Sequence, residues 1–417
     1  MKIIKIILIK IMSKLIKDVN IYTRMFKFTF YVLLHFYIFF YVFCNCSYPL
    51  GLVGIMSPFN APVSLAFDPA IEAIAGGNRV IMKLSESTPK TAAFMTKLVG
   101  KYFKETELAC VDGDLEVSKR FAALDWDKFF FTGGSEVGKK ILSAAADHLT
   151  PVILELGGKS PCVVLKDADI KAAARKIGQI RVMNSGQVCI SGDYAFVPED
   201  KLEDFISHAV GIVEEKFPTI IHNMDYTAII DDRNYNRIVG YIDEARAAGV
   251  RIIQANAGGE KLPDPKTRKI PLTVVVNPPM DLQVARYEIF GPVLTVFTYN
   301  SLDHVIKTIN SNEKPLALYI FGKSRSQINQ VVRNTSSGGV TVNDLLMHAD
   351  ASKMGFGGVG YSGMGRYKGG KIGFLAFTNP KSVVESGLMR RFTHIFQPPY
   401  TSDRSRKMLR NMVGMKE

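Results

Sequence analysis

Two side chains in this sequence could carry covalent chemistry together, a carboxylate and a thiol 34 positions apart. Glu155 opens the stretch ELGGKSP (Glu155 to Pro161), and Cys189 closes NSGQVC (Asn184 to Cys189). Each lies beside a glycine turn, where the chain can bend sharply and present a neighbouring side chain. A thiol becomes a strong nucleophile on losing its proton, and releasing a covalent adduct needs a base to activate water. The remaining cysteines fit this role poorly. Cys110 and Cys162 lie in apolar runs and read as small buried hydrophobes. Cys44 and Cys46 fall in a hydrophobic N-terminal extension outside the main body.

Further candidates stand where strands give way to turns. Phe59 and Asn60 end the stretch SPFN, after an apolar run, and an Asn amide can stabilise a developing oxyanion. Lys83 and Glu86 (KLSE) end a second run, where a carboxylate can hold ribose hydroxyls. Gly133 to Lys140 (GGSEVGKK) lies between a strand and a helix, the setting for a phosphate on a helix N-terminus. It misses the phosphate-binding loop of nucleotide triphosphatases because Lys140 replaces the metal-binding hydroxyl. GVGYSG (Gly358 to Gly363) matches a dinucleotide fingerprint literally, but it follows a glycine loop and reads as loop. Glu288 precedes a glycine-proline turn in YEIFGPV. Taken alone, each of these is also an ordinary turn or solvated strand end.

The elements that must position them alternate. LGLVGIM, RVIMKL, LACVDG, FFFTGG and PVILEL read as buried strands, separated by helices over 61–77, 88–103, from 116, and 136–148. Five strands alternating with helices predict a doubly wound parallel sheet of Rossmann-like type over residues 48–157. Beyond it, CVVL, YAFV, RIIQ, IPLTVVV, VLTVFTY, LALYIFG and GGVTVND predict a second α/β unit over 158–365. The fold class is therefore α/β, a cofactor domain plus a catalytic domain. Residues 366–417 read as an oligomerisation segment and basic tail. The glycine-rich segment 355–373 is expected as a loop.

Charge and cysteine usage narrow the class. The net charge is +13, but residues 1–27 and 381–417 carry +11 of it. A near-neutral body argues against nucleic acid as partner. Histidines are few, no paired cysteine spacing suggests a metal site, and dispersed thiols fit a reduced, cytoplasmic body. Residues 1–47 form a basic and hydrophobic extension. Its segment 28–44 is aromatic-rich and uncharged, a candidate for membrane contact, although it is short for a span.

Together, SPFN, KLSE, FTGGSEVG, ELGGKSP, GQVC, EIFGP, GGVTVND and FGGVGYSGMGRYKG resemble the aldehyde dehydrogenases, over about Tyr48 to Lys381. Tyr194 and the segments GGVTVND…LMH and SGMGRY are most similar to the class-3 branch and its coniferyl aldehyde dehydrogenase type. The resemblance implies oxidation of an aromatic or medium- to long-chain aldehyde to the acid with NAD, NADP also being open. It implies that Cys189 attacks the aldehyde, that Asn60 and the Cys189 N–H hold the oxyanion, and that Glu155 activates water. It assigns Phe59, Lys83, Glu86, Gly133, Gly138, Glu288 and Phe290 to the cofactor, no metal, and a homodimer. The sequence departs from the family pattern at Gly134, Val188, Tyr287 and Gly355, and residues 1–47 do not resemble the family's N-terminal region. That last departure leaves a second reading, a non-catalytic, membrane-tethered or truncated relative that binds cofactor or partners.

Overall fold

Apolar runs of four to seven residues, punctuated by glycine and proline, become the strands of two sheets. The computed structural model describes residues 41–351 and 353–386, with Asp403, Arg406, Lys407 and Arg410 near the C-terminus. It divides into two units, residues 1–47 with 380–417, and residues 48–379. In the first unit the opening strand β1 (Tyr41–Pro49) pairs with the final strand β15 (Thr378–Ser386). Residues 41–44 of the candidate membrane segment are thus strand, and 28–40 lie outside the described residues. Among the described residues no helix is long and apolar enough to cross a membrane.

The larger unit begins with β2 (Leu52–Met56), α1 (Ser64–Ala75), β3 (Arg79–Lys83), α2 (Pro89–Tyr102), β4 (Leu108–Val111), α3 (Leu115–Ala122), β5 (Lys128–Thr132), α4 (Ser135–Ala146) and β6 (Val152–Glu155). Capping residues set several of these starts. Pro89 opens α2, where its missing N–H costs no helical bond. Asp114 caps α3 by accepting from Glu116 and Val117 N–H. The expected helix over 61–77 begins only at Ser64. The five strands lie parallel in the order β6-β5-β2-β3-β4. The order reverses direction at β2 and β5, so a crevice opens at their carboxyl ends.

The second sheet holds β7 (Pro161–Val164), α5 (Ile170–Val182), β8 (Tyr194–Pro198), α6 (Leu202–Lys216), α7 (Asp232–Ala247), β9 (Arg251–Gln254), β10 (Thr273–Val276), α8 (Gln283–Arg286), β11 (Val293–Tyr299), α9 (Leu302–Ser311), β12 (Ala317–Phe321), α10 (Arg325–Asn334) and β13 (Gly339–Val342). Its order is β13-β12-β7-β8-β11-β10-β9, and only β9 runs antiparallel to its neighbour. Fully buried Val163, Ala195, Val274, Leu294 and Leu318 fill this sheet, while Val53, Ile55, Met82 and Phe130 fill the first. Burying one such side chain contributes about 1.5–3 kcal/mol before entropy is counted.

The glycine-rich segment is more than a loop. Within it, β14 (Gly363–Met364) adds an antiparallel edge to the first sheet, with Gly363 opposite Glu155. These two residues lie inside the 158–365 segment yet belong to the cofactor-type sheet. A Cβ at Gly363 would fall 2.5 Å from the Leu154 carbonyl, so this approach to β6 needs glycine. The literal fingerprint GVGYSG therefore folds as turn and edge strand, not as a strand-to-helix junction.

Candidate active site

The turn after α5 has a left-handed backbone. Asn184, Ser185 and Gly186 take φ values of 50°, 52° and 71°. A Cβ on Gly186 would sit 2.2 Å from the Gly291 carbonyl, so only glycine passes there. Buried Gln187 braces the turn. Its amide donates to the carbonyls of Asn184 (3.0 Å) and Ala228 (3.1 Å) and accepts from Ile230 N–H (3.0 Å). Cys189 emerges from this turn half-buried. Tyr319 on β12 donates to the next carbonyl, that of Ile190.

Asn60 reaches the same turn from the end of β2, across 127 positions. Its amide donates to the Gln187 carbonyl (3.0 Å), and Asn184 donates back to the Asn60 carbonyl (3.0 Å). Phe59 meets Phe290 edge to face, with ring centroids 6.0 Å apart.

Glu155 ends β6. It is buried, and neither carboxylate oxygen has a hydrogen-bond partner within the protein. Burial holds its carboxyl well above the usual carboxylate range, opposed by the Arg366 guanidinium. An unsatisfied buried carboxyl is costly, and such groups concentrate where chemistry needs them. Burial also pushes the Cys189 thiol up to about 12, aided by the charges of Glu288 and Glu155. The N–H groups of Cys189 itself and of Ile190 act in the opposite sense. Three acidic groups from three separate segments therefore share one neighbourhood.

Glu288 reaches the turn that directly follows β6 of the first sheet. A Cβ on Gly157 would fall 2.0 Å from its Oε2, so the carboxyl rests directly on the ELGG turn. It accepts from Gly158 N–H and is raised to about 8 by burial and then by Asp193, against that N–H, Arg181 and Lys159.

At the first sheet's open end, Lys83 is not a solvated strand end but fully buried. Its Nζ donates to the Leu84 carbonyl (2.6 Å) and reaches Glu86 (3.3 Å), which is about half exposed. Gly133 N–H donates to the Glu155 carbonyl (3.0 Å). Gly134 precedes α4 with no side-chain cap, and a Cβ there would meet nothing within 4 Å. Gly138 serves packing, since a Cβ would fall 2.7 Å from Leu156. The open helix start, the half-exposed carboxylate and the unpartnered buried Thr132 hydroxyl nearby in sequence fit a dinucleotide's phosphates and ribose.

Several braces escaped sequence reasoning: Asn184, Gln187, Lys159, Arg181, Asp193 and Tyr319. Asn184, Gln187 and Lys159 lie inside motifs noticed for their neighbours. Arg181 and Asp193 carry no local signal beyond being charged residues that flank the Cys189 turn.

A doubly wound cofactor-type sheet joined to a second α/β sheet, with a thiol and a carboxylate near their junction, defines the class as a two-domain α/β protein of dinucleotide-binding type with a candidate cysteine nucleophile. The aldehyde dehydrogenase family model matches residues 42–383. Coniferyl aldehyde dehydrogenase of Pseudomonas sp. (strain HR199 / DSM 7063) is 43% identical over 352 residues, spanning 84% of this chain and 73% of that protein. Among solved structures, the substrate-bound state of Staphylococcus aureus AldH aligns with a TM-score of 0.82 and 35% identity, covering 90% of this chain and 80% of that one. Mycobacterium tuberculosis aldehyde dehydrogenase complexed with NAD+ aligns with a TM-score of 0.73 and 26% identity, covering 82% and 70%. The chain belongs to the aldehyde dehydrogenase family.

Proposed function

We propose that this aldehyde dehydrogenase oxidises aromatic aldehydes of the coniferyl type, with Cys189 as nucleophile, Asn60 as oxyanion donor and Glu155 as general base. The supporting observation is the convergence of Asn60 and the Cys189 turn across 127 positions, beside a buried carboxylate with no other partner. The Asn60 amide uses one hydrogen on the Gln187 carbonyl and keeps the second for a substrate oxygen. The thiol loses its proton to solvent water and its sulfur forms a C–S bond to the aldehyde carbon, as the C=O π bond breaks and its electron pair makes the carbonyl oxygen an oxyanion. Asn60 and the Cys189 N–H stabilise that charge without reorganising. NAD(P)+, when bound, supplies the hydride acceptor, and NAD is the favoured form because the Glu86 carboxylate repels a 2′-phosphate. The Cys189 thioester is then cleaved by water whose proton passes to Glu155. Lys83, Glu86 and the start of α4 are the groups that would hold the dinucleotide. Glu288, Phe290 and Phe59 are assigned to its nicotinamide side.

The division into a cofactor domain (48–157), a catalytic domain (158–365) and a C-terminal oligomerisation segment belongs to the same proposal. So do assembly as a homodimer and membrane contact through residues 28–44, which light scattering and vesicle sedimentation respectively address. The functional test is reduced-nicotinamide formation with coniferyl-type and saturated long-chain aldehydes. A higher kcat/KM for the aromatic series supports the reading. A uniform preference for the aliphatic series overturns its substrate half.

A further inference from the structure

Lys159 lies four residues beyond Glu155, in a motif whose assigned role stops at the carboxylate. Its side chain is only 10% exposed. The ammonium pairs with Asp193 and donates to the carbonyls of Val284 (2.9 Å) and Tyr287 (3.0 Å). Asp193 also accepts from Arg181 (3.0 Å) and from Ile289 N–H (3.0 Å). Three segments therefore meet on one buried charge knot: the ELGGKSP turn, the Cys189 segment and the loop carrying Glu288. All three donors of the ammonium are used, and two are spent on the residues just before Glu288.

We infer that Lys159 is a positioning residue for Glu288: by holding the Val284–Tyr287 carbonyls it seats the Glu288 carboxylate on Gly157–Gly158, beside Cys189. Isolated burial of a lysine is unfavourable, and the site offsets it with a carboxylate and two carbonyls. The groups facing Glu288 are Asp193, Arg181, Lys159 and the Gly158 N–H. The charged groups that act most strongly on the Cys189 thiol are Glu288 and Glu155. The hydrogen bonds of Lys159 to the Val284 and Tyr287 carbonyls put it on the Glu288 loop, its route to the thiol. Losing Lys159 frees the loop and lets the Glu288 carboxylate move off the Gly157–Gly158 turn. That displacement takes negative charge away from the thiol and lowers the pH at which it ionises.

The inference rests on the proposed role of Cys189, and its test is kept separate from turnover. Cofactor-free enzyme is alkylated with iodoacetamide across pH, and the Cys189 peptide is quantified by mass spectrometry. Glu288→Gln should lower the alkylation midpoint by about one pH unit, about tenfold in rate below the midpoint. Lys159→Met should lower it in the same direction, and the double variant should match Glu288→Gln alone. Lys159→Arg, retaining charge and donors, should restore the parent midpoint at least in part. Lys159→Gln, which keeps a donor amide, carries the same comparison if the methionine variant does not fold. An unchanged midpoint on loss of Lys159, or an equal shift in the Glu288→Gln background, overturns the inference. Full turnover by Cys189→Ala would instead end the nucleophile reading and leave this alkylation comparison standing.

Discussion

The two ends of the site are built differently. At the open edge of the first sheet, Lys83 and Glu86 are three residues apart and bond to each other, and Gly134 leads straight into α4. At the Cys189 end, one bracing partner comes from 127 positions away (Asn60 to Gln187), and Glu288 comes from a loop beyond α8. The first region needs only a strand, a turn and a helix. The second needs both sheets in place, and it concentrates buried acids with few protein partners. A cofactor-type edge can thus be written locally, whereas the surroundings of the Cys189 thiol are assembled from segments far apart in the chain.

If the contrast is right, removing groups from the buried end should cost far more than removing groups from the open edge. The largest effect is expected from Cys189→Ala, with aldehyde oxidation falling by on the order of 10³-fold or more while cofactor binding persists. Retained turnover would break the comparison at its strongest point. Glu155→Gln comes next, with steady turnover reduced by about 10²–10⁴-fold and an acylated Cys189 accumulating, detectable by intact mass. Its pH dependence has a definite sign. A base must be ionised to accept a proton, and the Glu155 carboxyl is held well above the ordinary range. The parent rate should therefore rise as pH rises through that raised value, and the Gln variant should lose this limb.

Asn60→Ala should lower kcat by about 10²–10³-fold, as loss of one oxyanion donor does. It also deprives the Gln187 carbonyl of one donor, so a thermal melt must accompany the kinetics. The smallest effect belongs to the open edge. Glu86→Gln should raise KM for NAD by about tenfold, equivalent to one hydrogen bond to a charged group, and should narrow the preference over NADP. A Glu86 effect on kcat as large as that of Asn60 would mean the two regions are not separable.

The sequence legibly carried the order of strands and helices, because apolar runs and glycine or proline stops are local signals. Pro89 and Asp114 start helices where their backbone chemistry requires. The motifs around Glu155 and Cys189 were visible for the same reason, as short stretches whose residue types imply a reaction. The family followed from their number and order. What only the tertiary structure decided was who touches whom: Glu288 on the Gly157–Gly158 turn, Asn60 on the Cys189 turn, Gly363 against Glu155, and Lys159 on a distant loop. These pairings depend on long-range packing of two sheets, and no spacing along the chain encodes them. Electrostatics follows the same rule, since the raised ionisation of Glu155, Glu288 and Cys189 comes from burial and from charges brought together only on folding.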